Sequence, residues 1–119
     1  MKRVLKSFIY AFRGLWFTFR HEPNFQIESI GAIVVCLLCL WLPVTSGEAA
    51  ILMLTIGLVL SMELANTAIE RMTDILKPRV HPYARVVKDT MAGAVLIVSV
   101  TALVVGVVIF LPYFYPSVI

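Results

Sequence analysis

Glu63, Asn66, Thr67, Glu70 and Asp74 recur at steps of three or four within a stretch that is otherwise apolar from Ala49 onward. On an α-helix this spacing makes one polar stripe, while Leu64, Ala65, Ala68 and Ile69 occupy other angles and can meet lipid or neighbouring helices. Carboxylates placed this way can bind a hard cation through oxygen, take a proton from a hydroxyl, or hold helices together by hydrogen bonds. Further polar groups flank the other apolar runs: Glu22 and Glu28 upstream, Lys88 and Asp89 downstream. Two carboxylates from different elements could hold Mg²⁺ against nucleotide phosphates, with Lys88 neutralising a transferring phosphoryl group. Glu63, set in apolar surroundings, could take the proton of a lipid hydroxyl. Proton or ion handling by a membrane bundle, and a non-catalytic bundle locked by Glu63 and Asn66, are the competing readings of the same residues.

The depth of the stripe follows from lengths. A helix from Ala49 to about Leu76 would run roughly 42 Å, against a hydrocarbon core of roughly 30 Å, so it must protrude at one end. Glu63 then lies inside the far half of the bilayer and Glu70 near the headgroups. An acid at that depth costs a few kcal/mol and calls for a partner or a function. The phosphate loop of soluble nucleotide-binding proteins, G-x-x-x-x-G-K-[ST], is absent from the sequence, and the six glycines are scattered. Any nucleotide site must be built from side chains and metal.

The 119 residues are 61% hydrophobic and 14% charged, with a mean hydropathy of +0.95, which excludes an ordinary soluble domain. The pattern predicts one all-α integral membrane domain over residues 1–119, with an amphipathic surface helix over 1–20 and membrane helices over 27–42, 49–76 and 91–115. All ten basic residues lie either before the first span (Lys2, Arg3, Lys6, Arg13, Arg20) or between the second and third (Arg71, Lys77, Arg79, Arg85, Lys88). The positive-inside rule therefore puts the N-terminus and that connector in the cytoplasm, and the turn Pro43 to Glu48 and the C-terminus outside. The net charge of +3 reads as topology and headgroup attraction; nothing marks a nucleic-acid footprint.

In the first helix, Phe8, Phe12, Leu15 and Phe19 form one stripe and Arg3, Lys6, Tyr10 and Arg13 another, as expected of a helix lying in the interface plane. Charges interspersed throughout it argue against a cleaved signal peptide. Pro23 should end this helix, and Asn24 should cap the next. Glu22 and Glu28 there would also be stabilised by the helix dipole. Cys36 and Cys39 form a C-x-x-C inside an apolar run, and packing is expected of them. Trp41 should anchor at the interface. Gly57, Ser61 and Ala65 repeat at four-residue spacing, the pattern that brings membrane helices close and predicts a tight bundle. A connector is expected from Pro78 to Tyr83. Lys88 would stand just before the third helix, where a cation opposes the macrodipole, so local helix stability leaves it poorly explained.

The segment Glu63-Leu-Ala-Asn66-Thr67-Ala68-Ile69-Glu70, with Asp74 following, resembles the central motif of the small bacterial membrane kinases that include diacylglycerol kinase and undecaprenol kinase. Further matches are Glu22, Asn24-Phe25, His81-Pro82, and Lys88-Asp89 leading into Ala92-Gly93-Ala94-Val95-Leu96, so the resemblance covers nearly the whole chain. It implies ATP-dependent phosphorylation of a membrane lipid alcohol, in the bacterial cytoplasmic (inner) membrane, by a homotrimer with sites shared between subunits. Carried over residue by residue, it implies Glu63 as general base, Asn66 as a residue needed for activity, and Glu22 and Glu70 as Mg²⁺ ligands. Lys88 would contact phosphate beside the acidic Asp89, and Arg3, Lys6 and Tyr10 would lie near the nucleotide. Glu28 and Asp74 are plausible supports. The His-Pro connector with Arg85 and the Ala-Gly-Ala-Val-Leu segment look more like the undecaprenol kinase branch than the diacylglycerol branch. Tyr83 and Met91 depart from that pattern outside its catalytic positions.

Overall fold

The structure, a computed structural model, describes residues 1–76 and 82–116. Four helices follow in order: α1 Lys2–His21, α2 Pro23–Trp41, α3 Ser46–Leu76 and α4 Pro82–Phe114. Among the described residues there is no strand. Helices α2, α3 and α4 are each long and apolar enough to cross a membrane, as the three apolar runs predicted. Lys77, Pro78, Arg79 and His81 of the expected connector and its His-Pro match lie outside the described residues.

The helix boundaries depart from expectation wherever a local device extends a helix. Between α1 and α2 only Glu22 is extended, with φ −116° and ψ 108°. Its N–H donates to the Thr18 carbonyl at 2.9 Å, closing α1, and its own carbonyl accepts from Gln26 N–H at 3.2 Å, opening α2. Pro23 fits the first turn of α2, where a missing N–H costs no helical hydrogen bond. The span thus begins at Pro23 rather than at residue 27, and Asn24 lies within the helix instead of capping it. A second tie spans the break, from Gln26 Nε2 to the Phe19 carbonyl at 2.7 Å.

Helix α3 begins at Ser46, three residues before the predicted Ala49. Thr45 Oγ1 accepts from Glu48 N–H at 3.1 Å while Glu48 Oε1 accepts from Thr45 N–H at 3.0 Å. This reciprocal capping box satisfies two backbone donors that the helix start would leave unpaired. Glu48 Oε1 also accepts from the Tyr113 hydroxyl of α4, which lies 3.4 Å from the Pro43 carbonyl. Close by, the rings of Trp41 and Phe114 are 6.4 Å apart, so the end of the bundle opposite the Glu22 break is tied by both polar and aromatic contacts.

Helix α4 begins at Pro82, nine residues before the predicted start, again with proline in the first turn. Lys88 and Asp89 therefore sit about two turns inside the helix, beyond the first turn where the macrodipole opposes a cation. Pro112 lies two residues from the end of α4, where it interrupts little of the ladder.

Helix α3 packs most extensively on α4 and next on α2, and the C-terminal part of α1 folds back to touch both α2 and α3. The buried apolar residues are Phe25, Leu52 and Ile109, whereas Thr18, Glu63, Asn66, Thr67 and Thr73 are buried polar groups. Among the described residues one chain thus encloses more polar than apolar side chains, and its apolar surface is left for lipid or other subunits. Gly57, Ser61 and Ala65 are exposed, and a Cβ placed on Gly57 would meet nothing within 4 Å. The small-residue pattern therefore brings no helices together within the chain. Cys36 is exposed and Cys39 partly covered, both as free thiols, so neither packs into an intramolecular core.

Thr45→Ala should lower stability by about 1 kcal/mol through loss of the cap, with Thr45→Ser close to wild type. Thermal unfolding in detergent micelles measures this, and equal midpoints for wild type and Thr45→Ala would show that the cap contributes nothing.

Candidate active site

Along α3, Glu63 is about 26 Å from Ser46 and Glu70 about 36 Å, so a core of about 30 Å that starts at Ser46 ends between them. At this level the remaining helices supply their own polar groups. The C-terminal turn of α1 and the Glu22 break pack against the end of α3, burying Thr18, Phe25 and Thr73. The 3.6-residue period carries Glu63, Asn66, Thr67, Glu70 and Thr73 down the inward side of α3.

Glu63 is the most enclosed large side chain, at 1% exposure. Among the described residues its Oε2 has no hydrogen-bond partner, and the same is true of Asn66 Oδ1, Thr67 Oγ1 and Glu28 Oε2. Asn66 Nδ2 donates to Glu70 Oε1 at 3.0 Å, and its amide also lies beside the Glu63 carboxyl. Thr73 Oγ1 donates to the Glu70 carbonyl at 3.0 Å. Glu22 and Glu70 are both within electrostatic range of Glu63, as is Glu28 from α2. Orphaned buried oxygens beside clustered carboxylates call for a partner such as a proton, a water or a cation, since desolvated lone pairs left empty are costly.

One ion pair touches this cluster and a second joins α3 to α4. Arg71 Nη2 is 3.1 Å from Glu22 Oε1, and its guanidinium lies over the Phe17 ring at 5.3 Å. Lys88 Nζ is 3.3 Å from Asp74 Oδ1, an ion pair joining α3 and α4. Of the residues singled out in the sequence, Glu22, Glu28, Glu63, Asn66 and Glu70 thus come together, with Lys88 and Asp74 paired to each other. Asp89 is exposed and has no ion pair among the described residues. Arg3, Lys6 and Tyr10 are exposed on α1, likewise without an ion pair to the cluster, and the Tyr10 ring lies 5.6 Å from the Arg13 guanidinium.

Sequence reasoning missed Arg71, Phe17 and Thr73. Arg71 was counted as a topology charge although it directly follows Glu70. Phe17 and Thr73 carry no signal of their own until α1 folds back onto α3. A groove of about 370 Å³ between α2, α3 and α4 is lined by Gly31, Leu52, Thr55, Ala102 and Gly106, with Glu28 at the end nearer the start of α2.

The donor set suits a hard divalent cation. Glu22 and Glu70 each have one carboxylate oxygen free of the contacts described, and oxygen donors are what Mg²⁺ selects. No three Asp, Glu, His or Cys side chains converge as a closed cage among the described residues. Mg²⁺ in nucleotide sites commonly uses only one or two carboxylates and completes its shell with phosphate and water.

The family model described as prokaryotic diacylglycerol kinase matches residues 9–110. The chain is 40% identical over 112 residues to an undecaprenol kinase of Bacillus subtilis (strain 168), covering 94% of this chain and 91% of that protein. It is 36% identical over 110 residues to a diacylglycerol kinase of Synechocystis, covering 92% of this chain and 63% of the relative. With the diacylglycerol kinase of Escherichia coli (strain K12) the identity is 26% over 112 residues, covering 94% and 92%. Identity to the undecaprenol kinase exceeds that to either of these diacylglycerol kinases, in line with the branch preference read from the connector. On the family match over most of its length, and on relatives that are lipid kinases along nearly all of it, this chain belongs to the prokaryotic diacylglycerol kinase family.

Proposed function

We propose that the chain transfers the γ-phosphoryl group of ATP to the hydroxyl of a lipid alcohol at the cytoplasmic leaflet, with undecaprenol as the acceptor and diacylglycerol as the second candidate. The observation that carries this reading is the buried, unpartnered Oε2 of Glu63 at the inner edge of a spanning helix, beside clustered carboxylates. The 40% identity to an undecaprenol kinase favours undecaprenol.

Glu63 acts as the general base: its free oxygen accepts the hydroxyl proton as the lipid oxygen attacks phosphorus. Asn66 holds Glu70 through its amide and flanks Glu63, so it orients both carboxylates. Glu22 and Glu70, from different elements, would hold Mg²⁺. When bound, Mg²⁺ neutralises phosphate charge and aligns the nucleotide for in-line transfer. Lys88 leaves Asp74 to contact the transferred phosphoryl group, with Asp89 supporting it from the same turn. Arg3, Lys6 and Tyr10 meet the nucleotide from α1, whose apolar stripe of Phe8, Phe12, Leu15 and Phe19 lies on the headgroup layer.

The same reading makes residues 1–119 one membrane kinase domain in the bacterial cytoplasmic membrane, its N-terminus cytoplasmic and its C-terminus outside. The segregation of Lys and Arg supports that orientation. It also makes the enzyme a homotrimer. The exposed Gly57, Ser61 and Ala65 support close approach of α3 from neighbouring copies, and the small enclosed core supports sites shared between subunits.

Label from γ-³²P-ATP should appear in undecaprenol more than in diacylglycerol when both are presented in mixed micelles. Folded protein that labels neither lipid would overturn the reading. Glu63→Gln should cut kcat by about 10²- to 10⁴-fold while Mg-ATP still binds, the range for removing a general base. An unchanged rate would remove Glu63 from that role. Glu22→Gln and Glu70→Gln should each raise the KM for Mg-ATP before that for lipid, a split read from initial rates with each substrate varied in turn. Unaltered metal dependence in both variants would refute the ligand assignment.

A further inference from the structure

Arg71 is the strongest unassigned charge at the site. Its guanidinium is held on two sides, by Glu22 Oε1 at 3.1 Å and by the face of the Phe17 ring at 5.3 Å. Its side chain is 49% exposed while that of Glu22 is 20% exposed, so the cation lies on the open side of the pair and the carboxylate on the closed side. An incoming anion meets Arg71 first.

We infer that Arg71 is a nucleotide-phosphate ligand parked on Glu22, and that it moves from that carboxylate to the triphosphate when the metal takes its place. This rests on the proposed kinase reading and on Glu22 as a metal ligand. Charge balance drives the exchange. Glu22 and Glu70 each lie within electrostatic range of Glu63, and among the described residues the guanidinium of Arg71 is a cation in direct contact with one of these three carboxylates. A divalent cation on Glu22 and Glu70 repels that guanidinium and removes its partner. The bound nucleotide supplies oxygens that a planar, five-donor guanidinium engages in pairs. The Phe17 ring holds the guanidinium itself, so the head leaves both the ring and the Glu22 carboxylate when it turns outward to the open side. The plain alternative is that Arg71 clamps α1 to α3 and has no contact with substrate.

The two roles give opposite patterns in Arg71→Gln. A parked phosphate ligand competes with metal for Glu22, so its removal should tighten binding of Mn²⁺ alone, measured by electron paramagnetic resonance of the free ion. The same removal should weaken a non-hydrolysable ATP analogue with Mg²⁺ by about tenfold in equilibrium binding, and raise the KM for ATP similarly with little change in kcat. Arg71→Lys should fall between, because it keeps the charge and loses the fork. A clamp predicts a lower unfolding midpoint with metal and nucleotide affinity weakened together. That pattern, or unchanged nucleotide affinity in folded Arg71→Gln, would overturn the inference. Should Arg71→Gln not assemble, Arg71→Lys decides: a raised KM for ATP with kcat kept supports the phosphate role, and a wild-type KM overturns it. The wild-type control separates this from the parent proposal, since no lipid labelling by wild type sinks the kinase reading, whereas active wild type with unaltered Arg71 variants sinks only the role of Arg71.

Discussion

Seating a carboxylate cluster at one end of the apolar run of a long helix is the constraint on which the rest of this structure depends. Glu63 is almost fully enclosed with one oxygen unpartnered, and Glu22, Glu28 and Glu70 lie close enough to interact with it. Unpaired charge in such surroundings is expensive, so other elements must bring compensation. The return of α1 onto α3 brings Phe17 and the α1–α2 break, where Arg71 meets Glu22. The early start of α4 brings Lys88 to Asp74. Long helices that overrun the membrane make both meetings possible, because only residues beyond the hydrocarbon core can carry these charges.

The two ends of the bundle show what satisfying an acid entails. Glu48, at the far end, caps α3 and accepts from the Tyr113 hydroxyl, so its carboxylate is spent on structure. Glu63 has no such set of donors. The same residue type is a structural tie in one place and a buried carboxylate with an unpartnered oxygen in the other, and the difference lies in how many hydrogen bonds the neighbours supply. Asn66 marks the boundary between the two uses: its Nδ2 is committed to Glu70, while its Oδ1 remains unpartnered.

Little apolar surface is enclosed within one copy. Phe25, Leu52 and Ile109 are buried, while Ile33, Leu37, Leu54, Leu58 and Leu103 are exposed. In water this balance would leave the chain unfolded or aggregated, but in a bilayer those side chains face lipid tails of their own polarity, and helix contacts depend on close packing and polar ties instead. The outward-facing Gly57 and Ser61 fit that economy, since small residues are where a further helix can approach.

The polar stripe of α3, the three spans and the segregation of basic residues follow from the sequence, because helical period, apolar run length and charge count are local properties. The Glu63 to Glu70 motif likewise carried the family resemblance. The Thr45-x-x-Glu48 capping box and the two prolines at helix starts were equally local and were only partly read: the break at Pro23 does end α1, at His21, but Pro23 also opens α2, and Pro82, expected in a connector, opens α4. Tertiary structure alone decided that Arg71 meets Glu22, 49 residues away, and that Lys88 rests on Asp74 rather than standing unexplained at a helix end. It also decided that Glu48 is bound by Tyr113 and that Gly57 faces outward. Each of these depends on which helix faces lie together. A one-dimensional pattern gives the angle of a residue around its own helix, but the partner at that angle is set by how the helices pack.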